Sequence, residues 1–380
     1  SRRRHTRYFL ASRGLGDVYK RQLQGGWQNS DPGTGTPVCK KLTIGNSDEV
    51  TRRFGNYRLA TKSGTKFEDL DADGVRDAGE PGVPGVEIYL RGTDGAGATV
   101  DLTTTTDADG DYSFDVNPGD YLVCEQDVSG IGWLQSYPAN TVCSGETGTE
   151  AGGWDITLTS NEQDTGNDFG NYRLATKSGT KFEDLDADGV RDAGEPGVGG
   201  VTIYVDYNDN AKLDSGEPSA VTAADGTYTI TGVKPGTYKV REVLPAGWTC
   251  SYPNAKTETV PVTSTQCYHT DTFTSGAALT GNDFGNWRPA RIIVVKQTVP
   301  ANSTQTFRFS GDLVGSIGHN GSISKDVAPG TYSTTETLPE GWTLGSIVCD
   351  DTDSTGDTAS ATATYNVVSN ETVTCTFTNG

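Results

Sequence analysis

Three twelve-residue stretches carry the most pointed chemistry in the chain. In the first, Asp69, Asp71, Asp73, Val75, Asp77 and Glu80 hold positions 1, 3, 5, 7, 9 and 12, with Gly74 at position 6. That spacing wraps oxygen donors around a hard divalent cation. Carboxylates serve at positions 1, 3 and 5, a main-chain carbonyl at 7, a direct or water-borne contact at 9, and a bidentate glutamate at 12. The second stretch repeats the set with Asp184, Asp186, Asp188, Val190, Asp192 and Glu195, and Gly189 at the turn. The third offers Asp206, Asn208, Asn210, Lys212 (through its carbonyl), Asp214 and Glu217, but Ala211 stands where the glycine belongs. Acidic turns on an acidic protein are the plain alternative. Yet a glutamate at position 12 in all three stretches, and carboxylates crowded enough to repel one another, argue for a cation. The expected ion is Ca²⁺, bound as a structural element rather than as a switch. Each of the first two loops is followed by PGVPG or PGVGG and then a strand pattern. They are therefore not helix–loop–helix hands.

The elements around these loops are organised by repetition. Residues 54–83 recur without change at 169–198, which fixes the reading before any residue-level argument. Looser landmarks continue the pattern. Pro118–Glu125, Pro235–Glu242 and Pro329–Glu336 share PGxYxxxE, each is followed by Gly-Trp (Trp133, Trp248, Trp342), and each unit closes on Phe-x-Asn. The expected order is the tail of a truncated unit (23–58), a first repeat (59–173), a second (174–290) and a divergent third (291–380). Within a repeat, short alternating runs such as Val86–Leu90, Tyr228–Val233 and Arg291–Lys296 are bounded by turn residues, and no helical period is sustained. The expected fold is all-β: tandem antiparallel β-sandwiches forming a rod.

Composition agrees. Gly 49 and Pro 16 among 380 residues, with hydrophobics at 33%, suit several small turn-rich cores rather than one large one. Thirty basic against 50 acidic residues give a net charge of −20, which disfavours nucleic acid and favours cations as partners. No run of about 20 apolar residues is present to span a bilayer. Methionine is absent, which reads as a fragment of a longer frame. Residues 1–22 carry seven Lys or Arg against a single acid, opposite to the rest, and Ser12–Gln22 resembles a translated sequencing adapter. They are read as an assembly scar and set aside. Catalysis finds little support: His5, His269 and His319 are isolated, and no nucleophile elbow, phosphate loop or zinc-protease motif occurs. No enzyme activity is expected.

Seven cysteines fall at 39, 124, 143, 250, 267, 349 and 375, with no CxxC. Grouped by repeat they pair as Cys124–Cys143, Cys250–Cys267 and Cys349–Cys375, leaving Cys39 over. Pairing implies an oxidising compartment; buried free thiols are the alternative.

Taken together, GTKFEDLDADGVRDAGEPGVPGV, TTDADGDYSF, PGDYLVCE and the Gly-Trp resemble the B-type repeats of bacterial surface adhesins, the serine–aspartate-repeat and collagen-adhesin B domains with a prealbumin-like sandwich. The third repeat resembles the related pilin-type B domains. The resemblance implies a secreted, cell-surface stalk that spaces an adhesive or other functional domain from the cell. The alternative is an adhesin that binds an extracellular protein or carbohydrate directly through its repeats. In the pilin-type relatives a Lys, a Glu and an Asn form an intramolecular isopeptide bond. This implies that Lys296 joins Asn379, promoted by Glu336, the alternative being a buried ion pair beside a hydrogen-bonded asparagine. The first two repeats keep the Glu (Glu125, Glu242) and the Asn (Asn171, Asn286). Aligning first strands puts Phe67 and Phe182 at the position of Lys296, with Lys66 and Lys181 facing outward, so these repeats are expected to rely on calcium instead.

Overall fold

The computed structural model of the chain describes residues 26–31, 55–253, 256–258, 264–301 and 303–380. Cys39 and the segment 1–22 lie outside them. Among the described residues the regular elements are strands, with one 3₁₀ turn at Ser129–Ile131 and no helix able to cross a membrane. The all-β expectation holds. Period-2 alternation produces it. In Asp111–Val116, Tyr112, Phe114 and Val116 point inward while the residues between them are exposed. In Ala290–Thr298 every second residue from Ala290 is buried, which puts Lys296 on the core face.

The chain divides into two compact units, 1–173 and 174–380. In the first, one sheet sets Ala60–Glu68 against Gln163–Asp164, Phe169–Arg173 and Asp111–Val116, with Trp133–Tyr137 on the far side of Phe169–Arg173. A second sheet runs Thr99–Thr105, Glu87–Asp94, Gly119–Gln126, Thr149–Leu158. Ile88, Leu90, Tyr121, Val123 and Phe169 fill the space between them. In the second unit, residues 175–287 repeat this plan around Ile203, Val205, Ile230 and Phe284. Residues 290–379 form another pair of sheets around Ile292, Val294, Phe309 and Phe377.

The feature that positions the chemistry is the pairing of the first strand of each repeat with its last, in parallel. Lys66 faces Phe169, Lys181 faces Phe284 and Lys296 faces Phe377 across these ladders. Phe67 sits on the other side of its strand, over Gly170, where an added Cβ would meet the Phe67 ring at 2.6 Å. The glycine of Phe-Gly-Asn is thus required by a ring. In the third repeat, where Gln297 replaces that ring, Thr378 replaces the glycine.

Candidate metal loops and buried Lys–Glu–Asn centres

The first loop begins where Ala60–Glu68 ends. The Asp69 N–H donates to the Asn171 carbonyl at 2.9 Å, so the last strand anchors the first ligand position. From there the loop's own amides organise its carboxylates. Gly74 N–H donates to Asp69 Oδ2 (2.9 Å), Leu70 N–H to Glu80 Oε1 (2.6 Å) and Asp77 N–H to Glu80 Oε2 (3.0 Å). Gly74 takes a left-handed φ of +80°, which glycine adopts without strain. The second loop reproduces the set from Gly189, Leu185 and Asp192 to Asp184 and Glu195 at 2.9, 2.7 and 3.0 Å.

These amides leave one oxygen over. Asp69 and Asp184 are fully buried, and their Oδ1 atoms have no hydrogen-bond partner. Donor atoms of Asp69, Asp71 and Glu80 lie within 4.8 Å of one another, as do those of Asp71, Asp73 and Asp77, and the second loop matches with Asp184, Asp186, Glu195 and Asp186, Asp188, Asp192. A buried carboxylate oxygen without a partner is costly. An all-oxygen set of this density suits Ca²⁺. Burial, with the neighbouring carboxylates acting in the same direction, pushes the carboxyls of Glu80 and Glu195 above their usual range. Val75 and Val190 lie at the loop surface, their N–H groups bound to Asp73 and Asp188.

The third loop is arranged differently. Asp206 is buried, but Arg241, itself fully buried, places Nε 2.7 Å from Asp206 Oδ2 and Nη2 2.9 Å from Asp209 Oδ1. Asn208 and Asn210 turn their amides to Asp214 Oδ2 at 2.9 and 2.6 Å, and Lys212 N–H binds Asn210 Oδ1. Glu217 accepts from Tyr207 and Asp214. Ala211 takes a φ of +60° where the other loops have glycine. A guanidinium therefore stands beside the position-1 aspartate, and the two asparagines spend their side chains on Asp214.

The second constellation is buried. In the third repeat Lys296 Nζ lies 2.6 Å from Asn379 Oδ1 and 3.3 Å from Glu336 Oε1, while Asn379 Nδ2 donates to Glu336 Oε2 at 3.0 Å. The expectation that Lys66 and Lys181 face outward is overturned. Lys66 is 1% exposed with Nζ 3.2 Å from Glu125 Oε2, and Lys181 is 0% exposed with Nζ 3.8 Å from Glu242 Oε2. Asn171 and Asn286 are fully buried, and Asn286 Nδ2 donates to Glu242 Oε2 at 3.1 Å. The difference is one residue of register, which reverses every side chain in a strand. Phe67 reads as the core position in the sequence, but both faces of this strand end are covered, with Lys66 and Phe67 each 1% exposed. Burial dominates the titration: it raises Glu125 to about 7 and lowers Lys66, lowers Lys181 to about 8, raises Glu242, and lowers Lys296.

Two more lysines escaped the sequence reading. Lys62 is buried with Nζ 3.6 Å from Asp164, and Lys177 is buried with Nζ 3.2 Å from Asp271. Both lie on the inward parity of ATKSGTK, which marks them only once the face is known. The cysteines are joined as Cys124–Cys143, Cys250–Cys267 and Cys349–Cys375.

The SdrD B-like domain matches residues 64–171 and 179–285, and a prealbumin-like fold domain matches 292–380. Serine-aspartate repeat-containing protein D of Staphylococcus aureus (strain Newman) is 32% identical over 222 residues, covering 55% of this chain and 15% of that protein. Serine-aspartate repeat-containing protein F of Staphylococcus epidermidis is 31% identical over 230 residues, 59% of this chain and 12% of that protein. The chain thus spans about a seventh of the length of such relatives. Among solved structures, BcpA, the major pilin subunit of Bacillus cereus, aligns over 85% of this chain and 99% of its own at 12% identity and a TM-score of 0.31. The Bacillus anthracis TIE protein aligns over 86% and 51% at 12% identity and 0.30. With two SdrD B-like domains covering more than half of its length, followed by a prealbumin-like domain, the chain belongs to the SdrD B-like family.

Proposed function

We propose that this chain is a load-bearing stalk segment of a bacterial surface protein, stiffened by Ca²⁺ in the loops 69–80 and 184–195. The observation that carries it is the pair of buried, partnerless oxygens, Asp69 Oδ1 and Asp184 Oδ1, each inside a ring of carboxylates. Asp69, Asp71, Asp73, Asp77 and Glu80 would hold one ion, with the Val75 carbonyl; Asp184, Asp186, Asp188, Asp192 and Glu195 the other, with that of Val190. Bound calcium supplies fixed positive charge and no reaction step. In the third loop we assign the cation's part to Arg241, which already neutralises Asp206. The three disulfides support a place outside the reducing cytosol.

The contacts among Lys296, Glu336 and Asn379 support covalent bracing in the third repeat, and the matching buried residues extend the proposal to the first two. A neutral Lys296 amine would attack Asn379 Cγ, and Glu336 would take the amine proton and return one to the leaving nitrogen. One C–N bond forms, one breaks, and ammonia departs without any redox change. The same roles fall to Lys66, Glu125 and Asn171, and to Lys181, Glu242 and Asn286.

Calorimetry of the full chain in millimolar calcium and in chelator tests the stalk reading. Calcium should raise the melting of the first two repeats. Superimposable traces would overturn it.

A further inference from the structure

The second ion loop is held from outside as well as from within, at the point where the third repeat meets it. Glu183, the residue before position 1, receives the Arg288 guanidinium (Nη2 to Oε1 3.0 Å) and the Ser369 hydroxyl (2.6 Å). Leu185, at position 2, is held at both its N–H and its carbonyl. Its N–H donates to Glu195 Oε1, the closing carboxylate, at 2.7 Å. Its carbonyl accepts the Ser369 N–H at 2.8 Å. Ser369 and Asn370 form the turn between Thr362–Val367 and Thr372–Asn379, and Asn370 is left-handed at φ +63°.

That turn also clasps the end of the second repeat. Arg288 N–H donates to Ser369 Oγ at 2.8 Å, the Asn370 N–H donates to the Arg288 carbonyl at 3.2 Å, and the Arg288 guanidinium lies 4.6 Å over Trp248. With Ser369 7% and Glu183 9% exposed, the contact is an interior one. The Ser-Asn part of this clasp occurs a second time. Arg58 N–H donates to Ser160 Oγ at 2.9 Å, and the Asn161 N–H donates to the Arg58 carbonyl at 3.4 Å, with Asn161 at φ +62°. A Ser-Asn turn that takes the arginine ending the preceding repeat is thus a recurring device. In the second case it has an additional hold, on the ion loop itself.

We propose that the loop Asp184–Glu195 doubles as the ledge on which the Ser369–Asn370 turn docks, so that calcium in the loop locks the second repeat to the third. The inference rests on the calcium reading above. Without a cation, Asp184, Asp186, Asp188, Asp192 and Glu195 repel one another beside Glu183. Any relaxation that moves Glu195 moves the Leu185 peptide, and with it the acceptor of the Ser369 amide. Ion and docking turn then stabilise one conformation of one residue, and the coupling is reciprocal.

Hydrogen exchange on the full chain reads this directly, because the Ser369 and Asn370 amides are bonded only across the junction. Moving from chelator to millimolar calcium should slow both amides by about 5- to 150-fold, the usual span of such couplings, while the Tyr365 and Phe377 strands are unchanged. Slowing in 184–195 with no change at Ser369 and Asn370 overturns the coupling and leaves the calcium reading standing. No response in either segment overturns both. Reciprocity supplies a second arm. Ser369→Gly keeps the amide but loses the hydroxyl, and should weaken calcium binding at one of two sites in a titration with the metal alone. Two unchanged affinities would also overturn it.

Discussion

Lys66 Nζ stands 3.2 Å from Glu125 Oε2, with neither side chain more than 1% exposed. Asn171, the third member of the set by sequence, is also fully buried, and its main-chain carbonyl accepts the N–H of Asp69, the first residue of the acidic loop, at 2.9 Å. One residue of the last strand therefore belongs to both constellations. Strands Ala60–Glu68 and Phe169–Arg173 are the points where the chain enters and leaves the repeat, and they pair in parallel. Tension along the chain shears that ladder. An ion at one end of it and a covalent link beside it would both resist the same displacement.

The first prediction is read by mass. If all three triads react, the full chain with its disulfides reduced is lighter by three ammonias than its sequence requires. Lys66→Gln, Lys181→Gln and Lys296→Gln should each restore one, and Glu336→Ala should leave Lys296 unjoined. A full unreacted mass would reduce the triads to buried ion pairs.

The second concerns pH in a chain that cannot react at the first repeat, Asn171→Ala. Burial raises Glu125 from 4.5 to about 7. Between those values the unfolded chain has released its proton while the native chain retains it. Stability contributed here is therefore greatest below pH 4.5 and falls as pH rises towards 7. The first repeat should melt several degrees lower at pH 7 than at pH 5, and Glu125→Gln should flatten that slope. A melting temperature that rises across this window would show that Glu125 is ionised in its site.

Much of this was legible beforehand because repetition exposes spacing. Position 12 glutamates, Gly74 and the Phe-x-Asn landmarks need no coordinates, and the cysteines sort by repeat. Lys66 was missed because a lysine next to a phenylalanine reads as the outward neighbour of a core residue. Only the parallel ladder to Phe169 shows that the phenylalanine is the one on the far face. Arg241 was missed for another reason. It lies in the strand Gly236–Glu242, 35 residues from Asp206, and only the antiparallel register of Thr202–Asp206 with that strand brings them together.

A third prediction follows from the disulfides. Loops of 19, 17 and 26 residues are closed by Cys124–Cys143, Cys250–Cys267 and Cys349–Cys375, each worth about 3 kcal/mol by chain entropy. Thiol labelling of the unfolded, unreduced chain should modify Cys39 alone. Reduction should lower the melting of every repeat. Three or more labelled thiols would refute the pairing in solution.

The last prediction separates Arg241 from calcium. The buried Arg241–Asp206 pair is 2.7 Å apart with both side chains at 0% exposure. Arg241→Gln leaves Asp206 as an uncompensated buried charge, a change that costs about 3–5 kcal/mol. In chelator the second repeat should therefore lose much of its stability. In calcium the outcome differs, because Asp206, Asp214, Glu217 and the two asparagine oxygens then surround a place no longer neutralised from within. Calcium should recover part of the loss, and the number of ions bound by the chain should rise from two to three. Arg241→Lys, which keeps the charge without the planar fork, should remain at two. A native chain that binds three ions, or a glutamine variant that still binds two with no rescue by calcium, would remove Arg241 from the role of resident cation.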